Sequence, residues 1–134
     1  MSDFHLHPRL SADTTFIADW PLSRVLLMND GRYRWLVLVP RVAGATEIFD
    51  LEEADRIGLI EETARAADVL KRLAQAAKIN VGALGNLVPQ LHVHIVARSP
   101  DDPAWPGPVW GHSDAVPYAN GDAQAFITQF VNAS

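Results

Sequence analysis

The sequence contains no cysteine, so disulfide cross-links and thiolate chemistry are excluded from the outset. A chain without cysteine fits a reducing compartment. Positive charge is also short: 11 Lys and Arg stand against 16 Asp and Glu, for a net charge of −5 and a pI near 5.4. That balance excludes the broad basic face of an extended nucleic-acid binder, though one phosphate can still be held in a local site. No apolar run approaches the ~20 residues of a membrane span. The opening "MSDFHLHPRL" lacks the charged start and apolar centre of a signal peptide. Repeats and low-complexity blocks are missing too. What remains is 134 residues, 49% hydrophobic and 20% charged, enough to bury a core in a single domain over 1–134. A soluble cytoplasmic protein is the expectation.

Along the chain, residues 1–14 carry Pro8 and scattered polar groups and read as an arm or a short turn of helix. "TTFIADW" (14–20) predicts a strand, stopped by Pro21. "SRVLLMN" (23–29) and "RYRWLVLVP" (32–40) flank Asn29-Asp30-Gly31, whose residues tolerate positive φ, and predict an antiparallel hairpin. From about 51 to 78 the spacing predicts a long helix, capped by Asp50 with Glu53 three residues on. Its core-facing stripe is expected to include Ala54, Ile57, Ile60, Ala64, Ala67 and Leu70, with Glu61, Glu62, Arg65 and Asp68 on a solvated face. "INVGAL" (79–84), a turn, and "QLHVHIVA" (90–97) then form a strand pair. Prolines 100, 103, 106, 108 and 117 keep the following stretch in loops. A short helix starts near Asp122, with Ala123, Phe126, Ile127, Phe130 and Val131 as its apolar stripe. Strands, helix, strands, helix: the class is α+β on an antiparallel sheet.

The chemistry sits in "PQLHVHIVAR" (89–98). Side chains alternate faces along a strand, so Leu91, Val93, Ile95 and Ala97 form an apolar face for the long helix. Gln90, His92 and His94 fall on the other face, ~6–7 Å apart along the strand. A polar file of this kind suits phosphate chemistry. One imidazole attacks phosphorus while its neighbours hold the non-bridging oxygens. Histidine suits the attack because its neutral form is abundant near pH 7. An exposed sheet face is also polar by default, and two histidines one residue apart are good zinc ligands. A metal site therefore stays open as a rival, although no third ligand of obvious spacing follows.

These residues resemble a known signature. "QLHVHIVAR" is similar to the motif of histidine triad (HIT) proteins, in which three histidines alternate with hydrophobic residues. The resemblance covers about 15–112, including the hairpin ending in "LVLVP" (36–40), the long helix, the Gly-Asn turn and a tryptophan-bearing segment after the triad. It implies a HIT-like antiparallel sheet with one long helix and a short C-terminal helix. The implied activity is that of a nucleotide hydrolase or nucleotidyl transferase, in a homodimer whose sheets join edge to edge. Its substrate is a nucleotidyl phosphoramidate or phosphoanhydride, and no cofactor or metal is implied. By position, His92 is the nucleophile that forms a nucleotidyl-histidine intermediate, and His94 orients or protonates oxygens at phosphorus. Gln90 replaces the first histidine and cannot carry a proton between pH 5 and 8. Trp35 takes the place of a further histidine that many members carry before the strand ending in proline. Two changes behind the triad suggest a distinct subgroup, slow or limited to good leaving groups, or a nucleotide-binding module without turnover.

The resemblance also nominates the first hairpin as the nucleoside pocket: Met28, Asn29 for a base or ribose, and Asp30 for ribose hydroxyls. Asn-Asp-Gly is equally ordinary turn chemistry. Asn80 and Asn86 flank the turn before the triad and are candidates for sugar or phosphate contacts, with Gly85 allowing close backbone approach. The tryptophans of "WPGPVWG" (105–111) either wall the pocket, cross a dimer interface or cover core edges. Arg98 either steers an anion or is an ordinary surface cation, and His112 is expected at the surface.

Overall fold

In the computed structural model, which describes residues 3–134, the chain begins with a short helix α1 (Pro8–Asp13) and continues through β1 (Thr14–Asp19), β2 (Ser23–Met28) and β3 (Arg34–Pro40). A 3₁₀ turn (Ile48–Asp50) leads into α2 (Glu53–Ala74), followed by β4 (Lys78–Gly82), β5 (Val93–Arg98) and α3 (Asp122–Ala133). The sheet order is β1-β2-β3-β5-β4, antiparallel throughout. This is the expected α+β arrangement, with the hairpin, the long helix and the terminal helix in their predicted places. Among the described residues no helix is long and apolar enough to cross a membrane.

Alternation puts Leu91, Val93, Ile95 and Ala97 into the core with Leu36 and Leu38, beneath α2 and α3. The other face, expected to be polar, is a second apolar layer. Leu26, Trp35, Val37, Val39 and Val96 lie there, roofed by Leu10 of α1 and by Val88, Ala104 and Val109 from loops. β2 and β3 read as nearly continuous apolar runs because both of their faces are covered. The triad strand is also shorter than predicted at its start. Its ladder begins at Val93, opposite Leu38, so Gln90 to His92 approach the sheet without a partner strand. The Leu91 amide, which donates to the Ala45 carbonyl at 3.0 Å, holds that approach in place.

Two expectations for α2 fail. Asp50 does not cap it; its carboxylate takes the Thr46 and Glu47 amides, both at 3.0 Å, and closes the 3₁₀ turn. Nor is the buried stripe the predicted one, apart from Leu70, which is buried as expected, and Ala67, which packs against the core. Leu59, Glu62, Thr63, Ala66, Val69 and Leu70 face inward, while Ile57 and Ile60 are 58% and 62% exposed. The helix carries apolar residues on two arcs, and a backbone requirement selects between them. Glu62, expected in solvent, is buried because its carboxylate accepts the Leu22 and Ser23 amides, each at 2.9 Å. Those two donors lie where the chain turns into β2, and an unsatisfied buried amide costs about 1–3 kcal/mol. In α3, Phe126, Ile127 and Phe130 are buried as expected but Val131 is exposed.

Arg98 is neither a surface cation nor free to steer an anion. It is 2% exposed and makes a two-pronged ion pair with Asp102, at 2.8 and 3.0 Å. Its Nη1 also donates to Asn80 Oδ1 and its Nη2 to the Gly107 carbonyl, both at 2.8 Å. A planar guanidinium with five donors suits this duty, and it pins the proline-rich loop beside β4 and β5.

Candidate active site

His92 and His94 are buried, at 6% and 7% exposure, and line a hollow of about 530 Å³ on the second face of the sheet. Their ring centroids stand 4.8 Å apart. The hydrogen-bond partner of each Nδ1 fixes its tautomer, and the two partners differ in kind. His92 Nδ1 lies 2.7 Å from the Gln90 carbonyl oxygen. A carbonyl only accepts, so Nδ1 bears a proton and, in the neutral ring, Nε2 keeps its lone pair. His94 Nδ1 lies 3.0 Å from Trp35 Nε1. An indole N–H only donates, so here Nδ1 keeps the lone pair and Nε2 bears the proton. The site thus pairs a nitrogen bearing a free lone pair with a neutral N–H donor.

Strand register builds this pair. Val37 of β3 and Gly82 of β4 sit opposite His94, and Trp35 sits on the same face two residues before Val37. Gly82 leaves the space above β4 to Trp110; a Cβ at position 82 would lie 3.0 Å from that indole. Trp35 and Trp110 therefore pack edge-on against the His94 ring, each with centroids 5.7 Å away. Burial, and secondarily His92, lowers the His94 pKa to about 4. Trp110 contributes a buried Nε1–H that has no partner among the described residues.

The other predicted site residues are divided. Met28, Asp30, Gly85 and Asn86 line the same hollow as the two imidazoles. Gly85 has φ +75°, a left-handed conformation that a side chain would strain. Asp30 is buried, which pushes its carboxyl up, but hydrogen bonds from the Arg32 side chain and backbone hold it below the usual range. Arg32 also reaches Ser113 Oγ at 2.7 Å. Asn29 and Asn80 do not line this hollow; Asn29 Oδ1 accepts the Tyr118 amide and Asn80 Oδ1 holds Arg98. Gln90 also stands outside its lining and borders a smaller hollow beside His92. His112 is exposed. Arg9, Leu10 and Asp13 of α1 enter the wall unannounced, since a six-residue helix is too short to show a period. Among the described residues no group of three or more His, Asp or Glu side chains is arranged to hold a metal ion.

Residues 9–101 match the HIT domain family. The chain belongs to that family. Three solved structures agree over nearly all of both chains. A histidine triad protein from Bradyrhizobium japonicum is 46% identical, with a TM-score of 0.95 over 97% of each chain. A HIT protein from Sinorhizobium meliloti is 43% identical (TM-score 0.96, 98% of each), and one from Marinobacter aquaeolei is 41% identical (TM-score 0.93, 98% of each). No curated protein matches the chain. HIT proteins are generally nucleotide-binding hydrolases or transferases.

His94 stays neutral in the folded protein to about pH 4, whereas an unperturbed histidine protonates near 6.5. Between those values the unfolded chain binds more protons than the folded one, so stability falls as pH drops from above 6.5 toward 4. The full difference corresponds to roughly 3 kcal/mol. His94→Gln, which offers Trp35 an acceptor that does not titrate, should flatten this interval in denaturant midpoints measured at pH 7 and pH 4.5. A slope identical to that of the unaltered protein would contradict the assignment.

Proposed function

We propose that this HIT protein cleaves nucleotidyl phosphoramidates or phosphoanhydrides through a covalent nucleotidyl group on His92. The observation that carries this reading is the opposite tautomer of the two buried imidazoles. The Nε2 lone pair of His92 attacks the α-phosphorus; the N–P bond forms, and the bond to the leaving group breaks with its electron pair going to that group. The imidazole becomes cationic, and the Gln90 carbonyl, facing Nδ1–H at 2.7 Å, stabilises that charge. His94 donates Nε2–H to a non-bridging oxygen. Water then forms a bond to phosphorus and loses a proton to solvent while the N–P bond breaks, its electron pair returning to His92 Nε2 as the monophosphate leaves.

In this reading the enzyme supplies no strong acid. Gln90 does not titrate and His94, with its pKa near 4, has no second proton to give at neutral pH. Suitable leaving groups depart unaided: an amine already protonated in a phosphoramidate, or the phosphate of an anhydride. Gly85 and Asn86 serve the sugar or phosphate, and the Asp30 carboxylate serves a ribose hydroxyl. Asn29 and Asn80 contribute indirectly, through the segments they hold. Gln90 and Trp35, altered together, define the subgroup. A nucleotide-binding module with little turnover is the second reading, favoured by the same missing acid.

A homodimer belongs to this proposal. Among the described residues β4 is an outer strand, and Val81 on it is exposed along with Ile57 and Ile60 of α2. Joining two sheets along β4 would pair that edge and cover apolar surface. Light scattering should then give twice the 14.7 kDa chain mass, and a single-chain mass would contradict it.

Incubation with an adenosine phosphoramidate, followed by intact mass spectrometry, should show one adenylyl group on His92 and release of AMP. His92→Ala should lose the adduct and about 10⁴-fold or more of the turnover. Turnover that survives this change excludes the covalent route. Saturable AMP binding without any adduct favours the binding module.

A further inference from the structure

Gln90 occupies the place of the first triad histidine, yet both ends of its amide are engaged by the N-terminal arm. Its Oε1 accepts the His7 amide at 2.8 Å and its Nε2 donates to the His5 carbonyl at 2.9 Å. A carboxamide presents acceptor and donor side by side, as the C=O and N–H of a single residue in a parallel neighbouring strand do toward residues i and i+2. The donor and acceptor of an imidazole diverge across the ring, so a histidine at this position cannot make both bonds. The glutamine is suited to grip backbone.

What it grips leads into the wall of the site. His7 caps α1, its Nδ1 accepting the Arg9 amide at 3.0 Å. Leu10, 4% exposed, plugs the apolar layer that contains Trp35. Arg9 lines the hollow with the two imidazoles. Its Nε pairs with Asp13 at 3.1 Å, and among the described residues neither Nη group meets a protein partner. Arg32, the other arginine of this wall, is tied to Asp30 and Ser113. Arg9 is thus the lining cation with both Nη groups to spare, and its position depends on the arm being held down.

We infer that Gln90 is a positioning residue that straps the N-terminal arm over the site, so that Arg9 meets phosphates beyond the one His92 attacks and selects nucleotides carrying more than one. The ligand in this inference rests on the proposed nucleotidyl chemistry; the strap does not. A residue acting on the α-phosphate itself would affect every nucleotide alike. A strap acts through the arm and affects only those with distal charge.

Hydrogen exchange and titration calorimetry on the full chain separate these roles, with AMP and α,β-methylene ATP as probes. In Gln90→Ala and in Gln90→His, exchange at the His7 amide should accelerate about tenfold or more while β5 stays protected. Gln90→Ala and Arg9→Ala should each weaken the triphosphate analogue about tenfold and AMP by less than about twofold, with Arg9→Lys recovering most of the loss. Unchanged exchange at His7 in Gln90→Ala overturns the strap. Equal losses for both nucleotides place Gln90 on the α-phosphate and overturn the inference as well. If the unaltered protein binds neither nucleotide, Arg9's role falls together with the proposed function, while exchange at His7 still judges the strap by itself.

Discussion

The indole N–H of Trp35 on Nδ1 of His94 is the contact on which the rest of the site depends. Because that N–H can only donate, it decides where the single imidazole proton of His94 sits, and burial keeps a second proton off. His92, held by a carbonyl instead, takes the opposite tautomer. Two chemically identical side chains, one residue apart, thereby acquire different abilities: one offers a lone pair, the other an N–H. A histidine in place of Trp35 could adopt either role toward His94 and would add a titrating group behind it. Tryptophan removes that ambiguity, because its N–H can only donate.

This arrangement needs a dry, packed surround, which the second apolar layer supplies. Val37 and Gly82 flank His94 across the sheet, and the absence of a side chain at 82 lets Trp110 close over the ring. Arg98, at the far end of the same strand, anchors the loop that delivers Trp110. The strand that carries His94 is thus held at one end by a buried ion pair. Near the other, the Gln90 amide meets the N-terminal arm. Each anchor engages backbone as well as side chains, so the loops are positioned with little freedom.

Much of this was legible in the residues. The hairpin of β2 and β3, the alternation from Leu91 to Ala97 and the long helix follow from period, although none of Asn29, Asp30 and Gly31 takes the positive φ that their turn chemistry suggested, and the pair His92 and His94 stands out as polar groups in an apolar strand. The rest needed three-dimensional context. Periodicity in α2 fits two arcs, and only the amides of Leu22 and Ser23, which need an acceptor, show why Glu62 turns inward. Asp50 satisfies a capping pattern, but the nearer 3₁₀ turn claims its carboxylate. Arg98 carries no sequence sign of burial, because its partners Asn80, Asp102 and Gly107 are brought to it by the fold. Gln90 reads as a weakened triad member until the backbone of His5 and His7 is seen against it.

Nitrogen-15 NMR of the imidazole rings at pH 7 tests the central assignment most directly, since protonated and unprotonated ring nitrogens resonate far apart. With Trp35 fixing the proton, His94 shows a protonated Nε2 and a bare Nδ1, and His92 shows the reverse. A protonated Nδ1 on His94, or an imidazolium there, would mean that the indole does not set the chemistry of this site.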